Sequence, residues 1–311
     1  MILTVTLNAA IDKRYVINDF NLDRVNRAAE CAYYAGGKGL NVSRAATIAG
    51  SKVVATGFVG GHAGEYILEE LSKQNIESDF TKVKGESRSC LNIYDAVNKT
   101  QTEILEPGVT ITKEDLSRFM DKYDSLLDGC DVVAISGSVP KGLDEKVYPE
   151  LVRVAHNKGK KVICDTSGKL LTEIVKHKPN MIKPNADEIE MLTGKSVDCE
   201  ADLIAAGLEI VRGGVEQVVI SLGADGALMI REDGIYKATV PKIDAVNTVG
   251  CGDCMTAGFA MAFEKNMTPE KALVHASAMG CAAAMTEETG FLRMSDYEVV
   301  KNKIKINEPG L

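Results

Sequence analysis

Thr248-Val249-Gly250-Cys251-Gly252-Asp253-Cys254 leads directly into a long run of small apolar residues that is typical of a buried helix. Gly250 and Gly252 lack the Cβ atoms that would hold a ligand away from the main chain. The N–H groups of residues 250–253 can therefore face an anion at the positive end of the helix dipole. Asp253 would repel that anion unless it accepts a proton from a hydroxyl that attacks a phosphate. Taken alone, an ordinary glycine turn before a helix explains the same residues.

Short apolar, β-branched segments alternate with helical patterns through the rest of the chain. The predicted strands cover residues 2–7, 53–57, 132–136, 162–165, 181–183 and 218–222. The predicted helices cover residues 40–49, 63–74, 113–127, 145–158, 186–193 and 201–212. This alternation predicts an α/β fold with a mainly parallel sheet covered on both faces. Ligands of such sheets bind outside the carboxyl ends of the strands.

Two segments, approximately residues 12–35 and 88–105, break the alternation because polar and apolar residues alternate there. We expect antiparallel strands outside the main sheet, which form a small lid over its strand ends. Such a lid would shield phosphoryl transfer from water, although an edge hairpin without a function explains the periodicity equally well. The chain shows no repeat or long linker, so we expect one domain over residues 1–311 with the lid segments inserted.

The composition and the short apolar runs predict a cytoplasmic protein. Of the 311 residues, 36 are Lys or Arg and 44 are Asp or Glu, so the net charge of −8 gives no global attraction to nucleic acid or to an anionic membrane. An anionic substrate would need a local basic pocket. The apolar runs are shorter than the ~20 residues that span a bilayer. The eight cysteines are scattered without a small-scaffold spacing, which predicts reduced thiols.

A second glycine-rich turn, Ala35-Gly36-Gly37-Lys38-Gly39-Leu40-Asn41, begins a predicted helix. Lys38 and Asn41 add a cation and an amide to the exposed main-chain N–H groups, which suits a polyhydroxylated, phosphorylated molecule. A dinucleotide-binding fingerprint is excluded, because Val42 stands where the third glycine belongs. A purely structural turn remains an alternative.

The segment Lys183-Pro184-Asn185-Ala186-Asp187-Glu188 joins a predicted strand to a predicted helix. A capping box between Asn185 and Glu188 explains it fully. The functional interpretation places Asn185 near nucleotide phosphates and lets Glu188 position Mg²⁺ through a water molecule. A Walker A loop at residues 194–196 is excluded, because Ile189 stands where its first glycine should be.

Three further patterns are weaker. The turn Ser221–Gly226 suits a wall of a nucleotide site, but a hairpin turn is the simpler explanation. The arginines of the two lid segments could grip phosphate, although surface arginines are usually only solvated. Cys251 and Cys254 form a Cys-x-x-Cys at a helix N-terminus, where thiol pKa values fall, so an oxidoreductase is an alternative. The motif lies late in a large chain, which disfavours that alternative.

The motifs at residues 35–41, 183–188 and 248–253 resemble, in order and spacing, those of the ribokinase-like (PfkB) sugar kinases. The resemblance covers essentially the whole chain. It is strongest to the phosphosugar branch of tagatose-6-phosphate kinases and 1-phosphofructokinases, through residues 1–8, 57–61, 85–88, 101–106 and 134–143. It implies a three-layer α/β/α core with a small β-sheet lid, ATP and Mg²⁺ as cofactors, and a homodimer formed through the lid.

The resemblance also implies roles for residues at matching positions. Asp253 corresponds to the catalytic base, and Gly250, Cys251 and Gly252 correspond to the anion hole. The positions that hold the sugar and its phosphate are Asp12, Gly37, Lys38, Asn41, Arg88, Ser138, Arg27 and Arg24. The positions along the nucleotide site are Lys183, Asn185, Ser221, Gly223, Gly226, Thr248, Gly250, Gly252 and Gly280. Glu188 would place the metal ion through water.

Three positions depart from the family pattern. Cys251 replaces the usual alanine and Cys254 the usual serine or threonine, whereas Gly280 stands where many relatives carry asparagine beside the nucleotide. The expected reaction is transfer of the γ-phosphoryl group of ATP to the C1 hydroxyl of a ketohexose phosphate, with D-tagatose 6-phosphate as the first choice. The alternatives are a 1-phosphofructokinase, a 6-phosphofructokinase, a free-sugar or nucleoside kinase, and a sugar-responsive binding protein that would not need Asp253.

Overall fold

The structure is a computed structural model that describes residues 1–308, so the last three residues of the expected 1–311 domain lie outside the described part. The strands are β1 Ile2–Thr6, β2 Ala10–Ile17, β3 Ala28–Gly36, β4 Val53–Gly60, β5 Glu77–Ser78, β6 Thr81–Val83, β7 Arg88–Asp95, β8 Thr100–Leu105, β9 Val132–Ser136, β10 Lys161–Asp165, β11 Met181–Ile182, β12 Gln217–Ser221, β13 Ala227–Arg231, β14 Gly234–Thr239 and β15 Lys305–Asn307. The helices are α1 Lys38–Ile48, α2 Gly61–Lys73, α3 Lys113–Leu127, α4 Val147–Asn157, α5 Gly168–Val175, α6 Ala186–Thr193, α7 Glu200–Arg212, α8 Cys251–Glu264, α9 Pro269–Ala284 and α10 Met294–Lys301.

The main sheet has β1 near its centre. The parallel part of the sheet has the strand order β5-β4-β1-β9-β10-β11-β12. Strand β6 also pairs with β4, further along that strand than β5. At the other edge, β13, β14 and β15 continue the sheet as antiparallel strands. All of the predicted strands are present. They are mostly apolar because helices cover both faces, which leaves no solvated side to select alternation.

Helices form the two outer layers. On one face α3 to α7 pack against the sheet, with Phe119, Leu151, Leu171 and Leu203 in one continuous core. On the other face α1, α8, α9 and α10 form a second core. The predicted helices are all present within a few residues, whereas α5, α9 and α10 were not predicted. The three-layer α/β fold with a mainly parallel sheet is thus confirmed. Within the described residues, no helix is long and apolar enough to cross a membrane.

The two inserted segments form a second sheet in the order β3-β2-β7-β8, counted over the described residues. The expectation of antiparallel strands holds for β2 with β3 and for β7 with β8, but it is wrong for β2 with β7, which pair in parallel. The physical reason is connectivity. Parallel neighbours need a long crossover, and the chain between β2 and β7 supplies one through β3, α1, β4 and α2.

Helix α8 is buried over most of its length between α1 and α9. A helix that is apolar all round must be enclosed, and its small residues allow a close approach. A Cβ on Gly258 would lie only 2.6 Å from the Cα of Ala276 on α9. The helix begins after Gly250, which has a φ of 83° in the left-handed region that favours glycine. This packing fixes the direction in which the N-terminus of α8 points.

Candidate active site

A cavity of ≈ 710 Å³ opens at the carboxyl ends of the central strands, and the second sheet supplies one wall, with side chains from β2, β7 and β8. The position agrees with the rule for parallel α/β sheets. The lining includes most of the residues predicted to bind the sugar or to catalyse transfer. These are Asp12, Gly37, Lys38, Asn41, Arg88, Ser138, Gly250, Gly252 and Asp253. Lys183, which was predicted at the nucleotide site, also lines this cavity.

Asp253 lies in the first turn of α8, and only 6% of the residue is exposed. Asn41 Nδ2, on α1, donates a hydrogen bond of 2.8 Å to Asp253 Oδ2. Burial, followed by the negative charge of Asp165, raises the pKa of Asp253 to about 7, while Lys38 and Lys183 act in the opposite direction. A carboxylate whose pKa lies near neutrality is well matched to accepting a proton.

The main chain and one cation together form an anion site at the start of α8. Gly250, Gly252 and Asp253 line the cavity at the positive end of the dipole. The N–H groups of a first helical turn have no partner within the helix. A Cβ built on Gly252 would lie 3.1 Å from Lys183 Nζ, so the ammonium group sits directly beside these groups. Lys183 follows β11, whose carboxyl end points at the cavity. A phosphoryl group could be held between these donors.

Asp165, at the end of β10, is a site residue that sequence reasoning missed. It is 3% exposed, and its carboxylate lies 3.5 Å from Lys38 Nζ and 3.3 Å from Lys183 Nζ. Thr256 Oγ1 donates a hydrogen bond of 3.0 Å to Asp165 Oδ2. Burial opposes ionisation, but Lys183 and Lys38 overcome it and lower the pKa of Asp165. The signal that could have found it is an acidic residue ending a buried parallel strand.

The second sheet adds a cation to the lining of the cavity. Arg88 begins β7 and donates from Nε to the carbonyl oxygen of Asn8 and from Nη1 to that of Glu106, at 3.2 Å each. Ser138 lies close by, because Asn8 Nδ2 donates to Ser138 Oγ at 3.2 Å. The unused N–H groups of the Arg88 fork and the Ser138 hydroxyl remain available to a ligand.

Asp12 lies against the glycine turn that begins α1. A Cβ on Gly36 would collide with its carboxylate, so the close contact requires glycine there. Burial raises the pKa of Asp12 to about 6, against the influence of Arg44 and of the Gly37 N–H group. Asp12, Lys38 and Asn41 thus all line the cavity beside this turn, and their roles in holding the sugar stay predictions.

A second cavity of ≈ 700 Å³ lies beyond Lys183 and is lined by Asn185 and Ser221, which also form a bridge between their backbones. Gly223 and Gly226 lie in the hairpin turn between β12 and β13. Asn185 Oδ1 accepts from the N–H of Glu188 at 2.8 Å, and Glu188 Oε2 accepts from the N–H of Asn185 at 2.9 Å. The capping box and the hairpin turn are thus both present.

Several predicted residues lie outside the linings of both cavities. Arg24 and Arg27 are exposed in the connection between β2 and β3, and Thr248 is exposed before α8. Gly280 lies on α9, where an added Cβ would be 3.2 Å from the carbonyl oxygen of Cys251. Their assigned roles stay predictions.

The Cys-x-x-Cys interpretation predicted lowered thiol pKa values, and the structure gives the reverse. Burial raises the pKa of Cys251 to about 12, and it raises that of Cys254 well above its usual value. Cys254 is fully buried. Such thiols are poor nucleophiles at neutral pH, so the oxidoreductase alternative loses the observation that supported it.

The sequence pattern of the pfkB family carbohydrate kinases matches residues 5–294. The chain belongs to this family. Among solved structures it is similar to a candidate phosphofructokinase from Staphylococcus aureus, with 33% identity, coverage of 99% of both chains and a TM-score of 0.86. It is also similar to a possible 1-phosphofructokinase from Thermotoga maritima, with 30% identity, coverage of 100% of both chains and a TM-score of 0.88. The tetrameric inhibited form of phosphofructokinase-2 from Escherichia coli shares 25% identity over 97% of this chain and 98% of that chain, with a TM-score of 0.91.

As a member of the pfkB family, the chain is an ATP-dependent sugar kinase. This confirms the family and the enzyme class that the sequence motifs indicated.

Proposed function

We propose that this kinase transfers the γ-phosphoryl group of ATP to the C1 hydroxyl of a ketohexose 6-phosphate, with D-tagatose 6-phosphate as the preferred acceptor. The product would be the 1,6-bisphosphate. The observation that carries the proposal is the placement of Asp253, with its pKa of about 7, in the same cavity as Arg88 and beside the N–H groups that begin α8.

The proposed chemistry begins with the acceptor hydroxyl. Asp253 accepts its proton as the oxygen attacks the γ-phosphorus of ATP, the bond to the β-phosphate oxygen breaks, and ADP leaves; the proton then passes from Asp253 to solvent. The N–H groups of residues 250–253 and the ammonium of Lys183 stabilise the charge on the transferring group. Transfer of this kind depends on positioning, and the second sheet, which walls the cavity, would exclude water as a lid.

A magnesium ion would neutralise the phosphate oxygens when it is bound with ATP. Within residues 1–308 no cluster of three His, Cys, Asp or Glu side chains could hold it alone. The ion would therefore take most of its ligands from phosphate and water, as Mg²⁺ usually does in proteins. Glu188 fits a water-mediated contact, because its Oε1 atom is not used by the capping box. The carboxylate of Asp165 is engaged by Lys38, Lys183 and Thr256.

The remaining roles extend the same proposal. Arg88 and Ser138 would hold the distal phosphate, and Asp12, Gly37, Lys38 and Asn41 would hold the sugar. The nucleotide would occupy the second cavity, along Asn185, Ser221, Gly223 and Gly226, with Lys183 at its phosphates and with Thr248 and Gly280 at its margin. The cavity lining carries three cations, Lys38, Lys183 and Arg88, which suit a molecule that brings a phosphate of its own and receives another.

A second candidate is phosphorylation of fructose 1-phosphate. It is favoured by the similarity to the possible 1-phosphofructokinase of Thermotoga maritima, at 30% identity over the whole chain. A ketohexose phosphate bound in the reverse sense would present its C6 hydroxyl to Asp253 and its C1 phosphate to Arg88. The two reactions use the same groups and differ in the orientation of the sugar.

The test is an assay of ADP release with tagatose 6-phosphate, fructose 1-phosphate, fructose 6-phosphate and ribose as acceptors. We expect the highest kcat/KM with tagatose 6-phosphate. A higher value for fructose 1-phosphate would support the second candidate. Turnover with ribose above that with every phosphorylated ketose would refute the role of Arg88, and no ADP release with any acceptor would refute the proposed reaction.

We also propose a cytoplasmic homodimer formed through the lid. The outer strands β3 and β8 are largely exposed and carry apolar side chains, with Ile104 51% and Leu105 63% exposed. Covering such groups favours association. Arg24 and Arg27 would then be able to reach the partner's site. All eight cysteines are free thiols, which suits a reducing compartment. A monomer in light scattering at assay concentration would refute the dimer.

A further inference from the structure

Arg44, on α1, is only 1% exposed and is the largest fully buried side chain in the described residues. Burial of a guanidinium is costly unless each of its N–H groups finds an acceptor. The cost is visible in its pKa, which burial lowers to about 10. A buried charge of this kind, so close to the cavity, calls for a functional explanation.

The guanidinium group of Arg44 is held by groups from several neighbouring parts of the chain. Nε donates to Gln74 Oε1, after α2, at 2.8 Å. Nη2 donates to the carbonyl oxygen of Ala35, at the end of β3. The Phe291 ring covers the guanidinium, with its centroid 4.7 Å from Cζ. Because several elements clamp it, the fork has a fixed orientation.

The remaining part of the Arg44 guanidinium faces Asn41 and, through it, Asp253. Arg44 Nη1 donates to Asn41 Oδ1 at 2.9 Å, one helical turn away, and Asn41 Nδ2 donates to Asp253 Oδ2 at 2.8 Å. A side-chain amide has one accepting end and one donating end, whereas a guanidinium only donates. Arg44 therefore stabilises one of the two orientations of the Asn41 amide, the one whose NH₂ group faces Asp253.

We propose that Arg44 is a positioning residue that fixes the Asn41 amide, so that Asn41 donates to Asp253 Oδ2 and leaves Oδ1 free for the acceptor hydroxyl. This inference rests on the proposed role of Asp253 as the base. Without Arg44, the amide could rotate and bring its oxygen against the carboxylate. That arrangement disfavours ionised Asp253, which is the form that accepts a proton.

Other charges face the same groups and remain in place when Arg44 changes. Asp165, Lys38 and Lys183 act on Asp253, and Asp12 acts on Arg44. A Lys at position 44 keeps the positive charge beside Asp12 but lacks the planar fork. Arg44→Lys therefore separates orientation of the amide from simple electrostatics.

The first experiment is a cycle of kcat values for Arg44→Lys, Asn41→Ala and the double variant. We expect Arg44→Lys to lower kcat at pH 7 by about tenfold with KM changed less than about threefold, since general-base contributions are of order 10²–10⁴. The double variant should be no slower than Asn41→Ala alone, because Arg44 acts through Asn41. Losses that multiply in the double variant would overturn the proposal.

The pH profile supplies a readout that a merely structural role would not move. Arg44→Lys should shift the acid limb of kcat to higher pH, because the donor to ionised Asp253 is lost or reversed. Arg118→Lys is the matched control, since it makes the same change at an exposed arginine that contacts Asp115 and Lys82 instead of Asn41. We expect its acid limb to coincide with that of the wild type. An unshifted limb in Arg44→Lys would refute the inference.

A titration without substrate separates this inference from the proposed reaction. The carboxyl carbon of Asp253, labelled with ¹³C and assigned through Asp253→Asn, should titrate at higher pH in Arg44→Lys than in the wild type, whatever sugar is phosphorylated. Equal titration in the two proteins would overturn the inference. If Arg44→Lys does not fold, hydrogen exchange of the Asn41 side-chain amide in the wild type decides. Strong protection is expected, and exchange as fast as that of a solvent-exposed amide would refute the inference.

Discussion

Replacement of Asp253 by asparagine tests the proposed mechanism most directly. Asp253 is buried in the first turn of α8 and accepts a hydrogen bond from Asn41 at 2.8 Å. An asparagine of the same shape can keep that bond through its side-chain oxygen, but its NH₂ group cannot accept a proton. Geometry and substrate contacts should therefore survive while the base is lost.

The magnitude follows from general-base catalysis, which contributes about 10²–10⁴-fold. We expect kcat to fall by at least ~10²-fold, equivalent to about 2.7 kcal/mol in the barrier, with little change in KM. In the wild type, kcat should rise with pH through about 7, because Asp253 accepts a proton only when ionised and its pKa lies there. Asp253→Asn should lack this limb.

As the pH rises, the stability of the wild type should decrease while its activity increases. The folded state holds the Asp253 proton more tightly than the unfolded state, so stability decreases as pH rises from the unfolded pKa of 3.8 towards about 7. That interval corresponds to on the order of 4 kcal/mol at most. Asp253→Asn carries no such penalty, so its Tm should exceed that of the wild type at pH 8, and the difference should disappear near pH 4.

The assays are ADP release across a pH series and thermal unfolding at both pH values. A variant that turns over at a near-normal rate would remove the base from the mechanism. A variant that is slower and also less stable at pH 8 would show that Asp253 serves the fold rather than the reaction.

Three further substitutions probe the rest of the site. Arg88→Ala should raise KM for the phosphorylated sugar by about 10–100-fold, the scale of one lost charge-assisted contact, with KM for ATP unchanged; the exposed Arg118→Ala is the control, and equal KM values would place the phosphate clamp elsewhere. Cys251→Ala should keep kcat within about threefold in the same assay, because the anion site uses main-chain N–H groups, and a tenfold loss would assign the thiol a role. Gly252→Ala should raise KM for ATP or lower kcat by at least about tenfold, while Tm falls little. The reason is that the new methyl group would lie 3.1 Å from Lys183 Nζ and would crowd the anion site. Unchanged kinetics would show that phosphate does not bind there.

Much of the fold was readable from local patterns. The central strands are β-branched and apolar, and the helices between them have one apolar face, so each segment was predicted from its own residues. Helix α9 was not predicted because it is rich in alanine and small residues on all sides, which leaves no periodic contrast. The parallel pairing of β2 with β7 was also missed, since it joins strands far apart in the chain.

The candidate site also has parts that local sequence reveals and parts that it does not. A glycine-rich turn directly before a helix is a short local motif that can be recognised in the sequence. The segments around Gly37 and Gly250 were therefore found from the sequence. Asp165 and Arg44 were not singled out, because a single charged residue beside an apolar run looks like any surface charge until its burial is known.

The sequence by itself therefore determined the family and the layered α/β core, and it located the two glycine turns that begin α1 and α8, since those depend on short stretches of adjacent residues. Only the tertiary structure decided that Asp165 lies between Lys38 and Lys183, and that Arg44 donates to the Asn41 amide that faces Asp253. These contacts join residues as far apart as positions 41 and 253, and their energies arise from burial of charge, which no local pattern of residue types encodes.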